Sequence, residues 1–252
     1  MRILGLLSGK GGVGKTSSSI NLGAALNHFG KDVIVIDGNL STPNVGLHLG
    51  VPTVPINFHD VLKGKNKINE SLYSHPSGLK FIPGSLSISD MQGLNLKKFG
   101  DIRKLDADFI LLDGAAGLGG EAIKVMENSD ELIIVTNPEL PALTDALKTI
   151  KLAEELGKDV LGVLVTRVKK DDLDISIRNV EALLERPVLG VIGEDDNIRV
   201  SLSMKDAVVH THPSTLASKG YFRLAANIAG VAYSEPTQEH WARKIWQLIW
   251  KQ

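Results

Sequence analysis

The residues best suited to chemistry lie at 9–16, Gly-Lys-Gly-Gly-Val-Gly-Lys-Thr. Gly9, Gly14, Lys15 and Thr16 satisfy G-x-x-x-x-G-K-[ST], a spacing in which consecutive backbone N–H groups surround phosphates while the lysine and hydroxyl reach the terminal phosphate and Mg²⁺. On this reading Gly9, Lys10, Gly11, Gly12, Val13, Gly14, Lys15, Thr16 and Ser17 bind a nucleotide, and Lys15 also acts on the transferring phosphoryl group. Two aspartates fit the same chemistry. Asp37 closes the apolar run Val-Ile-Val-Ile and Asp113 closes Phe-Ile-Leu-Leu, and with Thr16 they would supply the oxygen-rich surroundings that Mg²⁺ requires. ATP and Mg²⁺ are therefore the expected cofactors.

Three other groups have residue types that could form sites. His210 and His212 stand two apart, with no acidic partner expected nearby, and lack the i, i+4 spacing of a helical zinc motif, so they read as structural or solvent-facing. Lys97, Lys98, Arg103 and Lys104 form a basic cluster that reads as a solvated face. The tail from His240 to Gln252 holds all three tryptophans of the chain. At helical spacing Trp241, Ile245, Trp246, Leu248, Ile249 and Trp250 share one side, and Arg243, Lys244, Gln247 and Lys251 take the other. An aromatic face opposite a basic one suits a helix lying in a membrane interface.

Such groups must be held by particular elements. Residues 2–7 read as a buried strand and 15–29 carry apolar residues at helical spacing, so the glycine-rich loop joins a strand to a helix N-terminus. Residues 32–37 and 108–113 read as further strands buried on both faces, and ligands bind beyond the carboxyl ends of such strands. Between them the pattern predicts short helices at 58–62 and 68–73 and a strand at 79–82. Strand–helix units then follow at 131–136 with 141–156 and at 160–165 with 174–185, before a strand at 188–192 and a helix at 214–231. Alternation of this kind predicts an α/β fold, a mostly parallel twisted sheet with helices on both faces. The expected organisation is one domain over 1–233, a polar linker at 234–239 and an amphipathic membrane-targeting helix at 240–252.

Composition narrows the function classes. The chain has 252 residues, 43% of them apolar, and can bury a full core. Its net charge of −1 supplies no global field to recruit nucleic acid, which is not an expected partner. The absence of cysteine rules out disulfides and thiolate metal sites and is compatible with a reducing cytosol. The N-terminus enters a core strand without a secretory signal, and no segment reaches the ~20 apolar residues needed to span a bilayer.

With Lys10 directly after the first glycine, the loop is the deviant Walker A of the MinD/ParA family of dimerising ATPases, which this sequence resembles, the archaeal MinD-like proteins most closely. Asn44–Gly50, Asp113–Gly117, Asn137-Pro-Glu139, Gly190–Asp195 and the amphipathic C-terminus carry the likeness further. Cysteine-dependent branches such as the nitrogenase iron protein and Mrp-type carriers are excluded. The resemblance implies that Lys10 crosses to a partner subunit's phosphates, that residues 37–44 form switch I, and that Asn137 and Arg167 lie near the adenine and the dimer interface. It implies a homodimer formed with ATP, an anionic membrane surface, an unidentified activating or cargo protein, and a cytoplasmic location peripheral to the inner face of the cell membrane. Three departures stand out: Asn39 replaces the second switch I acid, which acts in hydrolysis, Gly114 replaces serine or threonine, and Gly193 replaces proline. Slow hydrolysis follows if Asn39 can only orient water. The alternatives are a ParA-like partition ATPase that binds DNA and a weakly hydrolysing nucleotide-switched scaffold.

Overall fold

A strand with an unbroken apolar run has to be covered on both faces, and the runs of this chain accordingly build a central sheet. The computed structural model describes residues 1–169 and 174–235. In chain order the elements are β1 (Arg2–Ser8), α1 (Lys15–His28), β2 (Val33–Asp37), α2 (Val45–His48), α3 (Phe58–Leu62), β3 (Tyr73–Ser74), β4 (Lys80–Ile82), β5 (Phe109–Ala116), α4 (Gly120–Asn128), β6 (Glu131–Thr136), α5 (Leu140–Glu155), β7 (Asp159–Val168), α6 (Ile177–Leu184), β8 (Val188–Gly193), α7 (Asp196–Ser203), α8 (Val208–Thr211) and α9 (Leu216–Ala229).

Among the described residues the strands form one eight-stranded sheet in the order β3-β4-β2-β5-β1-β6-β7-β8. Every neighbouring pair is parallel except β3 with β4. Because β1, β2 and β5 point the same way, the glycine-rich loop, Asp37 and Asp113 all emerge at one edge of the sheet, and the β2–β5 register sets Asp37 opposite Asp113. One apolar core packs α3, α4, α5 and α6 on one face. The other packs α1, α2, α8 and α9 on the opposite face. The expected architecture is therefore present, with helices on both sides.

Several local expectations change. The helix expected at 68–73 is a 3-10 turn over Ile68–Ser71, and Tyr73 instead pairs with Phe81 across β3 and β4. Residues 96–104, with the basic cluster, form another 3-10 stretch. Helices α2, α4 and α7 carry too short or too glycine-rich a pattern to be read in advance. His210 does have an acidic partner: α8 places its Nδ1 2.9 Å from Asp206 Oδ1, a half-buried pair that gives the residue a structural role. No group of three potential metal ligands occurs among the described residues.

At the C-terminal side, Tyr233 meets Phe29 and Phe222, each at 5.8 Å between ring centroids. Glu235 is gripped by Arg223 of α9, with Nε at 2.7 Å, and by Lys219 at 3.6 Å. Residues 236–252, which contain the rest of the expected linker and the whole tail helix, lie outside the described residues.

Candidate nucleotide-binding site

The loop between β1 and α1 is shaped by its glycines. A Cβ on Gly9 would lie 2.3 Å from the Asp145 carbonyl oxygen of α5, so only glycine lets the chain pass. Gly14 caps α1 in the left-handed region, with φ of 84°, and no side chain caps that helix. The first N–H groups of α1 are thus left to an anion, where the helix dipole adds attraction. The loop is braced from behind. Thr166 Oγ1, at the end of β7, lies 2.6 Å from the Val13 carbonyl and 2.9 Å from Asn137 Oδ1.

Beside the loop, Asp113 is fully buried and gathers donors from α1. Lys15 Nζ donates to Oδ1 at 3.0 Å, Thr16 Oγ1 to Oδ2 at 2.6 Å, and Ser19 Oγ to Oδ1 at 3.1 Å. Asp37, also fully buried, accepts from the backbone N–H groups of Asn44 at 2.8 Å and Val45 at 2.9 Å, and so caps α2. Burial and the adjacent Asp113 charge push Asp37 up to about 8. Two carboxylates forced this close in a dry site favour a cation between them.

Above these groups opens a cleft of about 680 Å³, lined among others by Gly11, Gly12, Lys15, Thr16, Asn39 and Arg167. Ser8, at its floor, has a buried hydroxyl with no hydrogen-bond partner among the described residues. Uncapped amides, an orphaned hydroxyl and a lysine at the floor match the polyphosphate of a nucleotide, and Thr16, Asp37 and Asp113 match the hard oxygen donors that Mg²⁺ takes.

Residues 4–207 match the family model of the CobQ/CobB/MinD/ParA nucleotide binding domain. The chain belongs to this family. An ATP-binding protein of Methanocaldococcus jannaschii is 34% identical over 233 residues, covering 91% of this chain and 88% of that protein. The septum site-determining protein MinD of Pyrococcus horikoshii, solved with Mg-ADP, superposes with a TM-score of 0.86 at 33% identity, over 90% of this chain and 95% of that one. The MinD of an Aquifex aeolicus MinC:MinD complex gives 0.82 at 26% identity, over 94% and 99%. As a MinD/ParA-family P-loop protein the chain is an ATPase that works with ATP and Mg²⁺.

Of the departures from the family pattern, Gly114 has a local cause. A Cβ on Gly114 would meet Leu7 Cδ2 at 2.6 Å and the Leu6 carbonyl oxygen at 3.0 Å, so this sheet has no room for a larger residue there. At Gly193 the nearest atoms to an added Cβ are 3.8 Å away, and nothing in the structure explains the missing proline. Asn39 turns its amide onto its own loop, with Nδ2 2.7 Å from the Thr42 carbonyl and 3.0 Å from Thr42 Oγ1. Asn137 sits behind the loop on Thr166, whereas Arg167 lines the cleft with a positive φ of 55°. Lys10 is exposed, makes no hydrogen bond or ion pair with the described residues, and is not among the residues lining the cleft of its own loop. Ser41, within the expected switch I loop, does line the cleft, whereas sequence reasoning missed His48 and Glu121 there; both reach the site through tertiary contacts that leave no spacing signal.

Proposed function

We propose that this chain is an ATP-dependent dimerising ATPase that cycles on and off an anionic membrane to position cell-division or other polar machinery. The observation that carries the dimer is Lys10. A cation in a phosphate-binding loop that is exposed and does not line that loop's own cleft has chemical sense when the charge it neutralises belongs to a second subunit. In the full assembly Gly9 to Ser17 hold the phosphates, Thr16, Asp37 and Asp113 surround Mg²⁺ and its water, and Arg167 borders the base or the facing subunit. ATP closes the pair. Hydrolysis removes the γ-phosphate that both loops grip and the subunits separate.

The domain covers 1–233, and residues 234–239 link it to a helix at 240–252 that carries the membrane contact. The place of action is the cytoplasmic face of the cell membrane, with an activating or cargo protein as a further partner. The relatives named MinD, one of them seen with MinC, support this reading, and no helix among the described residues is long and apolar enough to cross a membrane. Light scattering tests the central step. Wild-type protein with ATP and Mg²⁺ doubles in mass and stays single with ADP, while Lys10→Ala binds ATP and remains a monomer. Normal dimerisation of Lys10→Ala refutes the role given to that lysine.

A further inference from the structure

The acid that this family's switch I uses in hydrolysis is Asn39 here, and the structure leaves Asn39 with little to offer in its place. Its amide is spent on Thr42. The two buried aspartates are equally committed, Asp113 to Lys15, Thr16 and Ser19, and Asp37 to the amides of Asn44 and Val45. Yet the wall of the cleft does carry one carboxylate, Glu121, in the first turn of α4 and only partly exposed. Among the described residues it is the only carboxylate in a lining whose other charged side chains are Lys15 and Arg167.

Glu121 is also positioned from two sides. Its helix follows the loop that leaves Asp113, and Gly117 N–H donates to the Ser8 carbonyl at 2.8 Å, which ties that loop to the base of the phosphate-binding loop. From switch I, the Ser41 hydroxyl donates to Oε1 and the Ser41 N–H to Oε2 at 3.2 Å. The carboxylate is thereby fixed where both nucleotide-sensing loops meet, in the first turn of α4.

We infer that Glu121 is the catalytic acid–base residue of this chain, standing in from the other side of the cleft for the acid missing at 39. This rests on the ATPase reading of the same cleft. Phosphoryl transfer leans on placement of the nucleophile more than on strong base catalysis. Glu121 accepts a hydrogen bond from the attacking water and sets it in line with the γ-phosphorus. The water oxygen bonds to phosphorus, and the bond from phosphorus to the β,γ-bridging oxygen breaks with its electron pair leaving on ADP. The water proton passes to the Glu121 carboxylate and from there to the released phosphate.

The test is Glu121→Gln, which retains an oxygen for Ser41 and removes the proton acceptor. Single-turnover hydrolysis should fall on the order of 10²-fold, while calorimetry with Mg²⁺ and the non-hydrolysable analogue adenylyl imidodiphosphate gives an affinity within about twofold of wild type. Adding Asn39→Asp to Glu121→Gln should recover at least about tenfold of the lost rate, since an aspartate cannot donate to the Thr42 carbonyl and turns out into the cleft. A merely structural latch at 121 would not be repaired by an acid at 39. Glu121→Gln that hydrolyses at the wild-type rate, that loses analogue affinity as much as rate, or that gains nothing from Asn39→Asp overturns the assignment. Wild-type protein that binds the analogue but never hydrolyses ATP overturns the ATPase reading together with it.

Discussion

Lys15 has two claims on its charge. With 8% of its side chain exposed it lies 3.0 Å from Asp113, so a nucleotide draws the ammonium away from a partner it already has, and binding is an exchange of charge-assisted contacts. Lys15→Ala removes one side of that exchange. ATP affinity should fall at least ~10- to 100-fold, and thermal stability should drop as well because Asp113 keeps only the hydroxyls of Thr16 and Ser19. Calorimetry showing unchanged ATP affinity in Lys15→Ala would refute the assignment of the loop. The loop, Asp37 and Asp113 were legible from sequence because their signal is local: a fixed spacing, or an acid closing an apolar run. Glu121 was not, because 80 residues separate it from Ser41 of switch I and the two meet only when β2 and β5 pair.

Among the elements, the parallel strands announced themselves by their apolar runs, whereas α2 and α4 did not. Helix α4 begins on Gly119 and Gly120 with no capping side chain. Helix α2 has four residues and borrows its cap from Asp37, across a loop. That loop is held from beneath by α3. His59 is buried, its Nδ1 accepts from the Ser85 N–H at 3.0 Å, and its Nε2–H donates to the Leu40 carbonyl at 3.1 Å. Burial holds this imidazole below its usual 6.5, so the folded chain keeps His59 neutral where the unfolded chain would protonate. The stability it contributes is intact above about 6.5 and drains away as pH falls below that value. Melting temperatures at pH 7.5 and 5.5 check this: His59→Gln, which can still donate to Leu40, should lose less on acidification than wild type. Equal losses in the two proteins would show that His59 does not set the slope.

At the scale of the whole molecule, a net charge of −1 means that attraction to an acidic surface has to be local, which the proposed membrane contact assigns to Arg243, Lys244 and Lys251. On that proposal each such residue would add ~1 kcal/mol near an anionic leaflet, and pairing two tails in the proposed dimer would make the second insertion intramolecular, a gain on the order of 10². Vesicles of acidic lipid should therefore pellet wild-type protein with ATP and not with ADP, and Trp246→Glu should stay in the supernatant. Equal pelleting of the intact and tail-deleted proteins would sink the membrane reading.

The aromatic and ionic clasp at Tyr233 and Glu235 would set the geometry of the proposed attachment. It fixes the chain's point of departure on α9. From Glu235 to His240 there are five steps of chain, at most ~18 Å when fully drawn out. A body moored on so short a line has almost no clearance on its α9 side. It would lie with that flank toward the lipid, and a partner as large as a folded domain would have to approach from elsewhere on the surface.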